Sequence, residues 1–365
     1  WENNGDGIAL AADLDAACQD MEMFQFHPTG MLYPQEAEGI LVTEAVRGEG
    51  GILLNTKGER FMKRYDPQRM ELSARDIVAR AIYHEVQAGR GTKHGGVWLD
   101  ISHQPKEYLL KRLPKMIEQF KTYAHIDITT QKMEVGPTAH YSMGGLWVNH
   151  HTGKTSIPNL YAIGEVTAGL HGANRLGGNS LAEIIVFGKK IGQSITKEVK
   201  KQQWTPINKK MITHKMKAMM SLINQKGQNP LHIKKELQQM MWEYAGVIRS
   251  EEGLKKALEE LKNYKSASLE TGKSLRMNEK LIAALDIKNM LPTCEMILKS
   301  ALARKESRGA HYRSDYPDTK KEGKKNIMCV PSKKGIKITT RSIKKIPTQI
   351  HSLMRSQKPT SHLLE

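Results

Sequence analysis

The sequence predicts an α+β protein in which a mixed region of helices and strands is followed by a helical bundle. Between residues 20 and 135, short apolar runs typical of strands alternate with amphipathic helical patterns. From about Lys197 the apolar residues recur at helical spacing, and polar connectors such as Gln225–Pro230 separate the segments, which is typical of an up-down bundle. With 365 residues the chain is long enough for two or more hydrophobic cores.

The first elements are expected to be a helix, a strand and a hairpin. A Gly-Asp-Gly sequence precedes a helical run at Ile8–Ala17. Met21–His27 has the mixed apolar pattern of a strand, which we expect to end at His27 because a proline follows. Gly51–Met62 predicts a β-hairpin whose turn is Asn55–Gly58.

Two helices and an intervening strand come next. Leu72–Val86 predicts a helix with Ser73 as a candidate N-cap, Val97–Ile101 predicts a strand, and Lys106–Phe120 predicts an amphipathic helix. Arg75 falls in the first turn of the first helix. Because a cation is unfavourable at a helix N-terminus, Arg75 breaks a local rule in the way expected at functional sites.

A loop rich in glycine and asparagine, Gly164–Ser180, lies between an apolar run typical of a buried strand, Leu160–Ile163, and a helical pattern at Leu181–Ile191. A strand, a flexible loop and a helix start present backbone N–H groups to an anion, and glycines allow a ligand to approach the backbone closely. Arg175 in this loop can bind a carboxylate or phosphate through two nitrogens. The alternative is a plain connector with a solvated arginine.

The C-terminal half is expected to contain three long helices and two final strands. The helices are Ile233–Ile248, Glu251–Tyr264 and Asn278–Glu306, the last of them broken near Leu291-Pro292. The methionines of this region are expected to fill the core rather than bind a cofactor; they are Met240, Met241, Met290 and Met296. The strands are Asn326–Val330 and Ile336–Thr340.

Positive charge is concentrated at the C-terminus. The net charge is +18, and residues 301–365 contain 16 Lys or Arg against 5 Asp or Glu. This segment is either a surface for an acidic partner or a membrane face, or a solvated basic tail. Nucleic acid is disfavoured because the tail has almost no aromatic residues for base stacking. No run approaches the roughly 18 uncharged apolar residues of a membrane helix, so we predict no transmembrane segment.

Cysteine and histidine spacing predicts neither disulfides nor metal. Cys18, Cys294 and Cys329 are far apart and form no Cys-x-x-Cys motif, which argues against a disulfide framework and against cluster ligation. His150-His151 lies at the tip of an expected hairpin, but adjacent strand residues point to opposite faces and a protein metal site needs three or four ligands. A reducing, cytoplasmic compartment is expected.

Six stretches of the chain resemble the succinate dehydrogenase/fumarate reductase flavoprotein family, which includes L-aspartate oxidase. In the family's order they are Met21–Gly30, Leu41–Gly51, Ser73–Ile82, Thr138–Gly145, Tyr161–Leu181 and Ser307–Asp315. The resemblance implies FAD and an α/β flavin-domain remnant with an inserted α+β capping domain. Residues 1–20 would end the first FAD-domain segment, 21–135 form the capping domain, 136–196 return to the FAD domain, 197–310 form the helical bundle and 311–365 the basic tail.

The same resemblance implies roles for eleven residues. His27 and Thr43 would hold one carboxylate of a dicarboxylate substrate, and His140 and Arg175 the other. Arg75 would carry the proton, supplied through a relay of Glu44 and Arg47; without the resemblance, Glu44 and Arg47 would be an ordinary i,i+3 surface pair. The flavin contacts would be Asp6, Glu165, Ser180 and Leu181.

Two features of the family pattern are missing from these 365 residues. The Gly-x-Gly-x-x-Gly fingerprint that opens such a nucleotide-binding domain is absent, and so is the histidine that carries covalent FAD in some members. We therefore expect an N-terminally truncated chain that binds FAD weakly by itself.

The resemblance leaves three functions open. The first is a flavoprotein subunit that interconverts succinate and fumarate and exchanges electrons with an iron–sulfur partner, free in the cytoplasm or held at the inner membrane by an anchor complex. The second is L-aspartate oxidase, which Leu99–Gln104 and Tyr161–Val166 favour. Ser142–Gly145 and Arg175–Gly178 favour the first and lie in the site itself, so we prefer it. The third is an inactive remnant that binds a partner through its basic end.

Overall fold

The computed structural model describes residues 4–203, 206–333, 335–343 and 348. The other residues of the expected basic tail lie outside the described residues. Within the described part the helices are α1 (Asp6–Ala12), α2 (Ala45–Gly48), α3 (Met62–Tyr65), α4 (Arg75–Glu85), α5 (Lys106–Arg112), α6 (Pro114–Tyr123), α7 (Asn179–Val199), α8 (Lys209–Met220), α9 (Pro230–Ala245), α10 (Glu251–Ser266) and α11 (Glu279–Ala303). The strands are β1 (Cys18–Gln19), β2 (Phe24–Met31), β3 (Ile52–Leu54), β4 (Val97–Asp100), β5 (Met133–Ser142), β6 (Gly145–Leu146), β7 (Lys325–Val330) and β8 (Lys337–Ser342).

The first sheet is antiparallel, with the strand order β2-β5-β4-β3. Its apolar face packs against helices α2 to α6, and the buried residues include Val46, Leu53, Ile82, Leu99 and Phe120. The predicted α+β class is confirmed by this mixture. Strand β2 continues to Met31 instead of ending at His27, since the register shifts between His27 and Gly30 and so accommodates Pro28, which has no N–H to donate.

The second sheet has the order β6-β1-β7-β8 and joins the two ends of the described chain. The two predicted C-terminal strands are confirmed as β7 and β8. Cys18 on β1 lies directly opposite Cys329 on β7. All three cysteines are buried and free, as expected.

Helices α9, α10 and α11 pack together around Leu237, Leu254, Leu261 and Leu298. Of the methionines predicted to fill this region, Met240 and Met296 are buried core residues, and Met241 and Met290 are partly buried against the bundle core. The predicted break at Pro292 is wrong: α11 is continuous through it. The proline forgoes one backbone hydrogen bond, but Met290 and Leu291 before it and Cys294 after it all pack into the bundle core, which holds the helix together.

The helical unit is attached to the first sheet by a buried ion pair. Arg304, just after α11, donates through Nε to Glu22 Oε1 at 2.6 Å, and both side chains are almost fully buried. Arg249, between α9 and α10, donates to the backbone oxygen of Glu22 at 2.7 Å. Glu22 lies two residues before β2, so the start of this strand is held by side chains from the helical unit.

Four local predictions need correction. The expected helix 106–120 is two helices, because Pro114 starts a new one. Ser73 does not cap α4, since its hydroxyl donates to Asp66 and to the backbone oxygen of Met70. The turn at Asn55–Gly58 is present, but the return arm makes only a bridge and β3 pairs with β4 instead.

Leu160–Ile163 does not form the predicted buried strand, which is the fourth difference. Its backbone bonds go only to the adjacent turn, from Thr155 to the oxygen of Leu160 and from Ala162 to the oxygen of Gly153. Ile163 is exposed. A strand needs a continuous partner on at least one side, and the described residues supply none beyond one bridge to Lys154. None of the described helices is both long enough and apolar enough to cross a membrane.

Candidate functional site

Two histidines from neighbouring strands face one another at the centre of the candidate site. His27 lies on β2 and His140 on β5, and their ring centroids are 5.3 Å apart. Burial, followed by the charges of Arg75 and Arg47, lowers the pKa of His27 to about 2. Burial, Arg75 and Arg175 lower the pKa of His140 to about 4. Both imidazoles are therefore neutral at pH 7, and each has one N–H to donate.

Arg175 reaches this pair from the glycine-rich loop. Its Nη2 donates to His140 Nε2 at 2.8 Å, and its Nη1 is 3.3 Å from Ser180 Oγ. The guanidinium lies over the ring of Tyr141, 4.2 Å from the centroid. Its Nε is buried without a hydrogen-bond partner among the described residues. A buried guanidinium with a spare donor is suited to an anion that enters the site.

Arg75 reaches the site from the first turn of α4. Its Nε and Nη2 donate to one oxygen of Glu44 at 3.0 and 2.9 Å, and its Nη1 donates to Gln25 Oε1 at 3.1 Å. The Arg75 side chain is 14 % exposed and that of Glu44 is 50 % exposed. The unfavourable position of a cation at a helix N-terminus is thus offset by a carboxylate from the entry to α2.

Arg47 is buried in α2 but does not contact Glu44. Its Nη1 donates to the backbone oxygen of Glu71, and its Nε and Nη2 have no partner in the described part of the chain. Burial lowers the pKa of Arg47, with Glu44 acting in the opposite direction. The expected relay needs two contacts, one between Arg75 and Glu44 and one between Glu44 and Arg47. In this structure the first is formed and the second is not.

Thr43 lies beside β2 through backbone pairing. Val42 donates its N–H to the Thr29 oxygen at 2.9 Å, and the Thr29 hydroxyl donates to the Val42 oxygen at 2.9 Å. The Thr43 hydroxyl accepts a long bond of 3.4 Å from Ala45 N. This pairing holds Thr43 next to the strand that carries His27.

The four expected flavin contacts lie around the N-termini of α1 and α7. Glu165 accepts from Ser142 N at 3.0 Å, and burial raises its pKa. Ser180 is in the first turn of α7, and the exposed Leu181 follows it. Asp6 accepts from Asn289 on α11 at 2.8 Å, and the next residue, Gly7, would bring a Cβ to 3.0 Å from Val166.

This arrangement fits a flat, partly polar cofactor such as a flavin. Helix α7 is 21 residues long and begins after Gly178, whose φ is 79°, with no side chain capping it. The N–H groups of Asn179 and Leu181 make only long bonds of 3.3 Å, to the Leu176 and Gly178 oxygens, so the start of the helix is weakly bonded and suited to donate to a ligand oxygen. An exposed apolar surface adjoins this helix start and would cover an aromatic ring system; it consists of Leu176, Leu181, Ile184 and Ile185.

Sequence reasoning missed three residues that organise this site: Gln25, Asn174 and Gly309. Gln25 is fully buried and bonds both to Arg75 and to the Arg175 loop. The signal was available, because Gln25 precedes His27 by two residues and strand side chains two apart share a face. Asn174 and Gly309 act through contacts between distant segments, which no local pattern indicates.

Comparison with known proteins gives a consistent result. Residues 1–181 match the family model described as FAD binding domain, and residues 234–358 match the model described as fumarate reductase flavoprotein C-term. The chain is 45 % identical over 329 residues to a polypeptide of the fumarate reductase (CoM/CoB) of Methanothermobacter marburgensis, covering 90 % of this chain and 59 % of the relative.

Two further relatives extend this comparison. L-Aspartate oxidase of Pseudomonas aeruginosa is 39 % identical over 335 residues, covering 90 % of this chain and 59 % of that protein. A solved quinol-fumarate reductase with menaquinol molecules superposes with a TM-score of 0.85 at 33 % identity, covering 94 % of this chain and 63 % of the solved one. The chain thus spans about 59 % of the length of the curated relatives it matches.

Proposed function

Because the chain belongs to the succinate dehydrogenase/fumarate reductase flavoprotein family, whose cofactor is FAD, we propose that it is the flavoprotein that interconverts succinate and fumarate. The observation that carries the proposal is that two of the three arginines at the site, Arg47 and Arg175, form no ion pair with a carboxylate among the described residues. Arg47, Arg75 and Arg175 approach two neutral histidines, and Glu44 is the carboxylate that neutralises one of the three. A dianionic substrate would supply the missing negative charge.

In this proposal a different pair of residues binds each of the two carboxylates of the substrate. His27 and Thr43, held together by the pairing of Val42 with Thr29, would bind one carboxylate. His140 and Arg175, already 2.8 Å apart, would bind the other, with the unpartnered Nε of Arg175 as an additional donor. Holding both ends fixes the C2–C3 bond in one pose, and such positioning accounts for a large part of enzymatic rate enhancement.

Arg75 is proposed to move the proton. An arginine gives up its proton with difficulty because its pKa lies above about 12, so it needs a base that exchanges protons with it at once. Glu44 is in that position, 2.9 Å from Nη2 and half-exposed to solvent. We propose that Arg47 joins the relay only when Glu44 turns towards it, since the two are not in contact here.

FAD would supply the two-electron transfer at the substrate's C2–C3 bond. Glu165, Ser180, Leu181 and Asp6 are the residues proposed to hold it. Ser180 and Leu181 lie in the first turn of α7, beside its apolar surface, and Asp6 lies at the start of α1. Closing a substrate beneath such a surface would also exclude water from the arginines, which strengthens their interaction with a carboxylate.

L-Aspartate oxidase is the second candidate, favoured by the 39 % identity to one such enzyme. L-Aspartate adds an ammonium group, which needs an acceptor because an unpaired charge in a closed site costs several kcal/mol. Each carboxylate at the described site already has a partner: Glu44 binds Arg75, Glu165 binds Ser142 N, and Glu183 binds Tyr141 and His171. This favours succinate and fumarate.

The test uses the intact, FAD-loaded protein. We expect it to reduce fumarate with an artificial electron donor and to be inert towards L-aspartate. Rapid flavin reduction by L-aspartate, with hydrogen peroxide formed in air, would instead establish the oxidase. A FAD-loaded protein inactive in both assays would leave the inactive remnant as the answer.

We further propose that the electrons pass to or from an iron–sulfur partner in the cytoplasm. The three cysteines are buried, free thiols, and only two of them, Cys18 and Cys329, face one another. An iron–sulfur cluster is held by four cysteines, so these three would not hold one by themselves, and free thiols persist in a reducing compartment. Purification of the native protein should therefore yield stoichiometric iron and acid-labile sulfide on a second polypeptide. Quantitative recovery of active enzyme as a single iron-free chain would contradict this.

A further inference from the structure

Gln25 connects the two arginines of the site through its side-chain amide. It lies on β2, fully buried, two residues before His27. Its Oε1 accepts from Arg75 Nη1 at 3.1 Å, and its Nε2 donates to Asn174 Oδ1 and to the backbone oxygen of Arg175, each at 2.8 Å. One amide thus contacts the proposed proton carrier and the backbone of the proposed clamp.

These partners permit one orientation of the Gln25 amide. A guanidinium offers only donors, so the amide oxygen must face Arg75, and the amide nitrogen must then face the two acceptors. Since Asn174 Oδ1 accepts from Gln25, its Nδ2 is left to donate, and it donates to Asp76 at 2.9 Å. Arg75, Gln25 and Asn174 therefore each donate to the next side chain along a single path, and the Asp76 carboxylate accepts at its end.

The path closes on itself. It starts at Arg75 and ends at Asp76, which are consecutive residues in the first turn of α4. Gln25 from β2 and Asn174 from the glycine-rich loop complete the ring. Asp76 is itself fixed by Arg80 one turn later, at 2.9 Å. The loop segment that presents Arg175 is thereby tied to the helix turn that presents Arg75.

A second contact fixes the other side of the same loop. Ala310 donates its N–H to the Ala173 oxygen at 2.9 Å. The preceding Gly309 has φ 55°, and a Cβ there would stand 2.4 Å from the same oxygen. The loop is therefore held from both sides, by the amide ring and by the segment after α11.

We propose that Gln25 and Asn174 are positioning residues that set Arg75 and Arg175 at a fixed separation, so that the group binding the carboxylate and the group handling the proton act on one substrate pose. This inference rests on the proposed function of the two arginines. Neither amide needs to touch the substrate. Their effect arises because a buried polar group that loses its partner moves or draws in water.

The experiment measures two properties of the intact, FAD-loaded protein. Fumarate reduction gives kcat and KM. Calorimetry with malonate gives binding without chemistry, because the two carboxylates of malonate are joined by a single methylene and there is no CH2–CH2 bond to oxidise. Gln25→Met and Asn174→Leu remove the amides at nearly constant volume. The matched control is Gln19→Met, since Gln19 is also a buried strand glutamine but lies in the second sheet.

We expect Gln25→Met and Asn174→Leu each to weaken malonate binding and to lower kcat by about 10- to 100-fold, and Gln19→Met to change neither. The double variant should be no worse than the weaker-binding single variant, since either change opens the same ring. Gln25→Glu keeps the acceptor for Arg75 but faces the Asn174 and Arg175 oxygens with a carboxylate. It should therefore weaken malonate binding more than it lowers kcat.

Additive effects of the two substitutions, or unchanged malonate affinity and kcat in folded single variants, would overturn the inference. A drop in melting temperature alone, with both site properties kept, would mean that the ring is only structural and would also overturn it. If the unaltered protein binds malonate but does not reduce fumarate, the proposed function fails while malonate affinity still tests the ring.

Discussion

Glu44 and Arg75 are 31 positions apart in the chain, yet one oxygen of Glu44 accepts from two nitrogens of Arg75, at 3.0 and 2.9 Å. The pair joins the entry to α2 with the first turn of α4. Half of the Glu44 side chain is exposed while Arg75 is largely buried. A carboxylate in this position is open to solvent protons on one side and bonded to a buried guanidinium on the other.

Arg75→Lys should therefore reduce turnover much more than substrate affinity. A lysine ammonium keeps the charge, but it cannot bond Glu44 and Gln25 in the same planar geometry. Loss of a positioned acid–base group lowers rates by about 10² to 10⁴. Steady-state fumarate reduction would show this as a fall in kcat at nearly constant KM. Arg112→Lys, at an exposed pair with Glu49, is the matched control. Near-normal kcat in Arg75→Lys would remove Arg75 from the proton path.

Arg175→Lys should weaken binding as well as turnover. Arg175 uses separate nitrogens for His140 and Ser180 and has a third without a partner among the described residues. A point charge on a flexible chain cannot replace this arrangement. We expect the malonate dissociation constant to rise by about 10-fold or more, and calorimetry measures it directly. Unchanged affinity in a folded Arg175→Lys protein would show that the carboxylate is bound elsewhere.

The lowered pKa values of the site histidines predict that the protein loses stability in acid. An unfolded histidine takes up a proton near pH 6.5, whereas folded His140 does so only at about 4 and His27 at about 2. Between pH 6.5 and 4 the unfolded state binds more protons, so the free energy of unfolding falls as the pH falls.

Replacing His140 by glutamine should remove part of that slope, at most about 1.4 kcal/mol per pH unit for one proton. Urea unfolding at pH 7, 6 and 5 would measure it for both proteins. Equal slopes in the two proteins would mean that His140 is already charged in the folded state near neutral pH, despite its half-buried position and the nearby charges of Arg75 and Arg175.

A substitution outside the site, Gly309→Ala, should displace the glycine-rich loop that carries Arg175. The added Cβ meets the Ala173 oxygen and also carries the cost of a positive φ. Gly58→Ala is the control, since Gly58 has φ 75° but open space around it. Both variants should lose at least about 1 kcal/mol of stability from the positive φ, and Gly309→Ala more because of the added contact. Only Gly309→Ala should raise the KM for fumarate, by several-fold. An equal KM in the two variants would mean that the loop tolerates displacement.

The parts of the fold that depend on local pattern could be predicted from the sequence. Helices α9 and α10 follow from apolar residues at helical spacing, and β7 and β8 from short apolar runs. Pro292 was misjudged because its cost is local while the packing that holds α11 together comes from two other helices. Leu160–Ile163 was misjudged for the opposite reason, since a strand pattern without a partner strand does not form a sheet.

In the candidate site, too, the sequence could indicate some features, while others depend on contacts between distant segments. The resemblance could indicate His27, His140, Arg75 and Arg175 as residues. It could not indicate the register shift between β2 and β5 that leaves His140 out of the strand pairing, with its ring centroid 5.3 Å from that of His27. The missing contact between Glu44 and Arg47 depends on side-chain directions that spacing does not determine. The roles proposed for all of these residues stay predictions until the variants are measured.

The contact between Ala173 and Ala310 has a consequence for the order in which the site is made. The ribosome releases Gln25, Arg75 and Arg175 before it releases the segment around Gly309, which supports the glycine-rich loop that carries Arg175. At roughly 5–20 residues per second, this segment is synthesised about 7 to 27 seconds after the loop itself. During this interval the nascent chain contains the site arginines but not the segment after α11 that bonds to the loop of Arg175. Competence to bind a dicarboxylate should therefore appear late in synthesis, once the helical unit has folded back onto the first sheet.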